Sequence, residues 1–458
     1  MRDDTTRMRA VDQGRRRRAA APRRAHADAV TALMAAGFGV TLALAVSSES
    51  RATLAAPGGW ATVSGRVTGL LGAYLLMILV VLVARLPAVE RVAGHDKLLA
   101  LHRRIAPWTL VALVAHAVLI TAGYAAEART GVLHELWRLL TQYPGMITAG
   151  VGLILLTVAG LTSVRHARRR MRHETWWAVH LYTYLALALA FSHQIATGRA
   201  FVTHPLAQAF WIALWLATAG VVLVYRVGLP LFRSLRHQLV VASVHEESPN
   251  VYSIVLRGRN LQRLAVSGGQ FFQWRFLQRG LWWQAHPYSL SALPAPPHLR
   301  VTVKALGDHS ATLAALRPGT RVAVEGPYGA FTKHVAPGRK VLLVGAGVGV
   351  TPIRAMLEDL EADADAVVIV RASRRQDLVL HDELRRLVDG RRAGQLHELV
   401  GPRQDIRLRA DVVELLCPDI AERSVFLCGP DGFVKAFATA ARSLGVPRSS
   451  IHTEAFAF

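Results

Sequence analysis

Cysteine is nearly missing from this chain, whose 458 residues hold only Cys417 and Cys428. The pair forms no C-x-x-C, no zinc-binding set and no C-x-x-C-H for covalent haem, and such sparse thiols fit a reducing compartment. Acidic residues are also scarce, with 31 Asp and Glu against 54 Lys and Arg and a formal charge of +23. Nucleic-acid binding is the first class that such a charge suggests. The arginines, however, flank apolar runs and fill the N-terminal segment, as anchoring at an anionic leaflet requires, so no nucleic-acid partner is expected. Residues 1–28 hold nine Arg and four acidic residues, including "RRRR" at 15–18. No A-x-A-like cleavage site closes the apolar run that follows. The segment therefore reads as a disordered basic cytoplasmic tail rather than a twin-arginine leader.

What the chain has in abundance is apolar sequence, 52% of its residues. Windows of spanning length fall near 29–47, 64–84, 105–123, 146–164, 176–196 and 207–228, which predicts a six-helix transmembrane bundle over 29–232. Arg85, Arg91, Lys97, Arg103 and Arg104 lie between the second and third windows, and Arg165, Arg168, Arg169, Arg170 and Arg172 between the fourth and fifth. The positive-inside rule then puts both termini in the cytoplasm of a cell whose plasma membrane holds the bundle. Beyond about residue 236, short alternating runs between Gly/Pro turns predict an antiparallel β-barrel over 236–335. From 339 to 458 the pattern strand, Gly-rich turn, helix, strand predicts an α/β doubly wound domain.

Ionisable side chains inside a bilayer are costly and usually functional. The third window carries His102 and His116, fourteen residues and about 21 Å of helical rise apart, nearly on one face. The fifth carries His180 and His193, thirteen residues apart. Both helices run outward, so His102 is level with His180 and His116 with His193. Two imidazoles at each of two levels predict two stacked bis-histidine haem sites, each level lacking the carboxylate or thiolate that zinc favours. Thirteen residues leave two side chains about 140° apart on an ideal helix. A π-bulge in the fifth helix, or an offset between the haems, is therefore expected. His166 and His173 in the basic loop and His204 in an outer loop read as solvated.

In the barrel, "GGQFFQWRF" (268–276), "HPYSLS" (286–291) and "VKALGDHS" (303–310) come in an order that suits a flavin. Tyr288 can lie against the isoalloxazine and Ser289 can reach its N5 edge. Pro287, Ser291, Lys304 and Gly307 belong to the same stretches, and Ser310 opens a helix N-terminus for the pyrophosphate. "GAGVGVTP" (345–352) follows a strand and opens a helix, the context of a dinucleotide loop. Gly345, Gly347 and Gly349 permit tight turning there, and Thr351 and Pro352 begin the helix. Ser373 and Arg374 follow the next strand, where a 2′-phosphate would favour NADPH over NADH; a solvated charge run is the alternative. "FLCGPDGF" (426–433) places Cys428, Gly429 and Pro430 at a strand's C-terminal edge, although a buried structural cysteine would look the same. The terminal aromatic Phe458 is placed to cover the flavin until nicotinamide displaces it.

Together these motifs resemble the ferric reductase / NADPH oxidase superfamily over roughly residues 60–458. "HPYSLS" is similar to its flavin signature, "GAGVGVTP" and "LCGP" to its pyridine-nucleotide signatures and "EAFAF" to its C-terminus. The histidine spacings match its haem ligands, and the second half resembles ferredoxin-NADP reductase. The resemblance implies that Tyr288 and Ser289 contact FAD, that His286 lies near its phosphates, and that Cys428 approaches the nicotinamide. It also implies electron transfer from NADPH through FAD and two haem b groups to oxygen or a ferric chelate, with oxygen the acceptor expected. No EF-hand precedes the first helix and no obligatory protein subunit is expected. Ile120 stands where superoxide-producing animal members often carry a further histidine, and Arg66 could supply positive charge beside the outer haem. Two rival readings are a transporter or sensor with a regulatory nucleotide domain, and a flavin reductase merely anchored by its helices.

Overall fold

The computed structural model describes residues 28–87, 89–90, 94–202, 204–305, 312–336, 338–402 and 408–455. It divides into two compact units, Ala25–Arg226 and Val227–Phe458.

The first unit is helical: α1 (28–47), α2 (Gly59–Val83), α3 (His95–Ala128), α4 (Val132–Gln142), α5 (Met146–Ser163), α6 (His173–Thr197) and α7 (Pro205–Val222). Five helices among the described residues are long and apolar enough to cross a membrane, not the six expected; α6 is the one left out. It has the length, at 25 residues. Its Trp176, Trp177, Tyr182, Tyr184, His180 and His193 lower its mean hydropathy. The helix is α throughout, and the π-helical turn expected there lies instead at Leu223–Gly228, just beyond α7.

Without a hydrophobic drive between helices in lipid, close packing depends on small residues. Gly65 and Gly69, four apart on α2, supply that contact. A Cβ on Gly65 would lie 2.9 Å from Ile120, and one on Gly69 would lie 2.4 Å from the His116 ring. The α2 backbone thus approaches α3 at the level of His116. Helix α2 buries Tyr74, Met77 and Leu79 and forms the centre of the unit.

In the second unit, α8 (Leu229–His237) leads into β1 (Leu239–Ser248), followed by β2 (Val251–Arg257), β3 (Phe271–Phe276), β4 (His286–Ser289), β5 (His298–Lys304) and β6 (Arg321–Tyr328). They form an antiparallel sheet of order β4-β3-β6-β1-β2-β5. It curls until its two ends meet at one antiparallel bridge, Leu290–Val301. Its inward-facing residues, among them Trp274, Phe276, Ile254 and Leu256, make one apolar core.

The second sheet is parallel, of order β11-β10-β7-β8-β9, built from β7 (Lys340–Ala346), β8 (Asp365–Ala372), β9 (Gly394–Val400), β10 (Ser424–Gly429) and β11 (Ile451–Ala455). Helices α9 (Val350–Asp359) and α10 (His381–Asp389) cover one face; α11 (Ala410–Leu416) and α12 (Asp431–Ser443) cover the other. Alternation along β7 shows why both faces need cover: Val341 and Leu343 join one core, Leu342 and Val344 the other. Strand order reverses between β7 and β10, and open α/β sheets bind ligands at the C-terminal ends of such a switch point.

Candidate electron-transfer sites

The four membrane histidines lie at two levels of α3 and α6, and at one level the rings meet. The rings of His102 and His180 have centroids 6.3 Å apart and planes inclined by 69°. His116 and His193 lie within electrostatic reach of each other. Two imidazoles bound through Nε2 on opposite sides of one metal, with bonds of about 2 Å, have centres about 6 Å apart. On α3 each ring is anchored through Nδ1 to a backbone carbonyl of α2, His102 to Leu79 at 3.1 Å and His116 to Gly65 at 2.7 Å. A metal-binding histidine usually spends its second nitrogen in this way, which fixes the tautomer and presents the Nε2 lone pair. On α6, the buried Nδ1 of His180 has no hydrogen-bond partner among the described residues. The His180 ring is oriented instead by stacking on Trp176, 5.1 Å away, whose Nε1 donates to Ser163 Oγ. Among the described residues no third His, Cys, Asp or Glu joins either pair. A metal at either level would thus take its remaining ligands from a macrocycle, and the donor set fits bis-histidine haem.

Arg66 does not stand free at the outer end of α2. Its guanidinium donates to both Glu49 oxygens at 2.9 and 3.0 Å and to the Tyr124 hydroxyl at 3.3 Å. The positive charge that Arg66 could supply is thus paired with Glu49.

In the barrel, β4 presents the flavin stretch along the sheet's edge. The His286 and Tyr288 rings stack with centroids 6.1 Å apart, and the Tyr288 carbonyl accepts from Trp274 Nε1 at 2.9 Å. Burial pushes the Tyr288 phenol above its ordinary range, so it remains protonated. Ser289 is buried and its hydroxyl has no hydrogen-bond partner among the described residues. A buried unpaired hydroxyl costs on the order of 1–3 kcal/mol, and a bound flavin edge would recover that cost. Ser291 differs: its Oγ accepts from Arg300 Nε and Thr302 Oγ1, so it braces the barrel. Pro287 and Lys304 are exposed at the strand surfaces. Gly307, Ser310 and Phe458 lie outside the described residues.

The nucleotide loop sits at the switch point. Gly347 takes a left-handed φ of 56°, starting the turn from β7 into α9. A Cβ on Gly349 would lie 2.4 Å from the Cys428 carbonyl oxygen, so only glycine lets the helix start approach β10 so closely. Gly345 pairs in register with Cys428. Thr351 donates from Oγ1 to the Val348 carbonyl, and Thr351 and Pro352 are both buried in the first turn of α9. Gly429, at φ 154°, and Pro430 lead from β10 into α12. The Cys428 side chain is wholly enclosed in the apolar core below. Burial pushes its thiol well above the ordinary range, so the sulfur stays protonated and is not a nucleophile. Ser373 and Arg374 are exposed at the end of β8, where Arg374 already holds Asp377 through two hydrogen bonds of 3.0 and 3.1 Å.

Comparison with known proteins agrees with this division. Residues 68–191 match the family "Ferric reductase like transmembrane component", residues 238–332 an FAD-binding domain and residues 343–439 an oxidoreductase NAD-binding domain. The chain has the ferric reductase / NADPH oxidase architecture. The glycine betaine monooxygenase reductase subunit of Chromohalobacter salexigens is 32% identical over 185 residues, 37% of this chain and 50% of that protein. A Yarrowia lipolytica protein named "Probable metalloreductase AIM14" is 24% identical over 285 residues, 61% of this chain and 48% of that one. The chain thus spans about half the length of these curated relatives. A solved ferredoxin NADP+ reductase of Neisseria gonorrhoeae with bound FAD and NADP superposes with a TM-score of 0.41 at 19% identity, covering 48% of this chain and 98% of that one.

Within this architecture, several supporting residues escape motif reading. The α2 carbonyls that anchor His102 and His116 carry no side-chain signal, although the Gly65/Gly69 spacing marks the helix face that offers one of them. Arg300 pairs with Glu383 at 2.6 and 2.7 Å, and Arg354 joins the same carboxylate at 2.8 Å. This tie links the Ser291 strand end to α10 across 83 residues of sequence, a distance no local pattern reveals.

Proposed function

We propose that this chain moves electrons from cytoplasmic NADPH across the bilayer to a one-electron acceptor on the far side. The observation that carries the reading is the pairing of four membrane histidines in two levels on α3 and α6. His102 and His180 would hold the inner b-type haem, and His116 and His193 the outer one. Flavin, when bound, takes the two electrons of a hydride and releases them singly, and haem iron carries one at a time.

The chain's own residues do the positioning. Gly345, Gly347 and Gly349 would bring backbone to the dinucleotide, at the turn where Gly349 approaches the Cys428 carbonyl. Tyr288 and the unpaired Ser289 hydroxyl offer a ring face and a polar contact to the flavin. Leu79 and Gly65 hold the α3 imidazoles in one tautomer. With both axial positions given to histidine, an acceptor would take electrons from the haem edge without binding iron.

Oxygen is the acceptor expected from the sequence, giving superoxide. A ferric chelate is favoured by the compensation of Arg66 by Glu49, which takes up a charge that could hold a small anion, and by the metalloreductase name of one relative. The test is NADPH oxidation by the protein in sealed vesicles, with ferric chelate or oxygen outside. External iron reduction, or external superoxide, supports the transmembrane path and identifies the acceptor. NADPH oxidation that delivers no electrons outside, or a purified protein without haem absorbance, would overturn it.

A further inference from the structure

The glycine pair that opens "GGQFFQWRF" receives helix α9 of the nucleotide domain. A Cβ on Gly268 would lie 2.2 Å from the Ala355 carbonyl oxygen, and one on Gly269 would lie 2.9 Å from the Met356 methyl group. The Gly268 amide donates to Asp359 Oδ2 at 2.9 Å, in the last turn of the helix. In the same turn Glu358 Oε2 accepts from the Leu293 amide at 2.6 Å.

Around Glu358 the contacts close into a ring. Glu358 pairs with Arg354, whose Nε lies 2.8 Å from Glu383 in the first turn of α10. Glu383 accepts from both terminal nitrogens of Arg300 at 2.6 and 2.7 Å, and Arg300 Nε donates to Ser291 Oγ at 3.1 Å. The ring thus leaves the barrel at Ser291, runs through α10 and α9, and returns to the barrel at Leu293. Two arginines alternate with two glutamates, and their side chains are only 10% to 31% exposed.

Its placement gives the ring a use. Residues 291 and 293 follow directly on Ser289 of the flavin stretch. Helix α9 begins at the nucleotide turn and is ten residues long, about 15 Å of rise. Flavin stretch and nucleotide turn are therefore joined through the ring by short, regular segments. An apolar seam would hold two domains together as firmly, whereas bidentate ion pairs fix one relative geometry.

We propose that Glu383 and Glu358 are positioning residues for hydride transfer: through Arg300 and Arg354 they hold the nucleotide turn at a fixed distance from the flavin strand. The proposal rests on the functional reading above, in its flavin and nucleotide part alone.

The test uses the full-length holoprotein with nitroxide labels at Trp282→Cys on the barrel and Leu415→Cys on α11. Both positions are exposed, while Cys417 and Cys428 are buried, so the introduced thiols are the reactive ones. Pulsed dipolar spectroscopy should give one narrow distance, which Glu383→Gln broadens. In the unlabelled variant, stopped-flow reduction of the flavin by NADPH should slow about tenfold, a fraction of the roughly 100-fold that a misplacement of about 1 Å costs, with NADP+ affinity changed less than about twofold. Should Glu383→Gln fail to fold, Arg300→Lys, which keeps the charge and loses the two-point hold, is read in the same way. An unbroadened distance overturns the proposal, as does a broadened one with flavin reduction at the wild-type rate. A slower rate matched by an equal loss of NADP+ affinity also overturns it, since the ring would then serve binding. Wild-type flavin that NADPH fails to reduce would instead overturn the functional reading, and this proposal with it.

Discussion

In α3 and α6 the helix ladder satisfies the backbone, so groups that would hold a cofactor there must be side chains, as the four imidazoles are in the proposed reading. At the ends of β7 and β10 the working groups are backbone amides, and side chains are excluded, to the point that one methyl at Gly349 would strike the Cys428 carbonyl. Lipid offers no water to a free amide, which forces the first solution. A glycine turn at a helix start offers amides and dipole together, which makes the second available. The difference teaches where each half is fragile: the membrane half to loss of a side chain, the nucleotide half to its addition.

The largest effect expected is in the membrane half. His180→Ala removes one of the two nitrogens at its level and should lose the inner haem, abolishing reduction of external acceptors while NADPH still reduces the flavin. Haem absorbance per flavin, read beside flavin bleaching by NADPH, checks it; an unchanged two-haem spectrum would break the pairing. Gly349→Ala should do the reverse. A Cβ placed 2.4 Å from the Cys428 carbonyl forces the turn to move, and a misplacement of about 1 Å can slow a reaction about 100-fold. Stopped-flow flavin reduction should slow to that degree while the haem spectrum stays normal. A rate close to wild type would show that the loop is not the nucleotide site.

At the opposite, N-terminal end of the parallel strands, buried charge serves stability instead. Arg423 is almost fully buried and binds Asp365 at 2.9 and 3.0 Å and Asp419 at 2.6 and 3.0 Å. Arg423→Ala strands these carboxylates and should destabilise the nucleotide domain by about 3 kcal/mol, measured by denaturant unfolding followed through bound flavin. Burial alone would raise the Asp419 carboxyl, but hydrogen bonds from Arg423 and Lys340 hold it at about 2. A carboxyl lowered on folding stabilises fully above its unfolded value, near 3.9, and loses that contribution as pH falls through the folded one. The wild-type domain should therefore weaken between about pH 4 and pH 2, and the variant much less.

Legibility followed the same division. The α3 and α6 histidines were readable because helical spacing and cost in lipid leave few explanations for four imidazoles at two levels. The same residues depress the hydropathy of α6, so composition does not mark that helix as a span. The thirteen-residue spacing suggested a local distortion, yet an undistorted helix brings His180 beside His102 and keeps His193 within reach of His116. In the soluble half the glycine turn and the parallel sheet were plain from pattern. The enclosure of Cys428 was not, because strand alternation puts it on an inward face whose partners come from α9 and from Phe331. Nor was the role of Ser291, set by Arg300 and Thr302 from a neighbouring strand. Whether a serine touches ligand or braces a barrel depends on its partners, and these are remote in sequence.

The smallest effect tests whether a side chain, not backbone, sets coenzyme choice in the nucleotide half. Arg374 is exposed and its guanidinium is engaged by Asp377, so a 2′-phosphate must compete with that carboxylate for it. Asp377, in turn, is held below its ordinary range by the Arg374 hydrogen bonds and remains charged at neutral pH. If the arginine exchanges partners, Arg374→Ala should lower the NADPH-to-NADH ratio of kcat/KM by about tenfold at most, since part of the charged hydrogen-bond energy is already committed to Asp377. Asp377→Asn removes the competitor and should move the ratio the other way, with little change in the NADH rate. A ratio unmoved by either replacement would make the "SRRQD" segment a solvated charge run. Coenzyme choice would then rest, like the rest of this site, on the backbone.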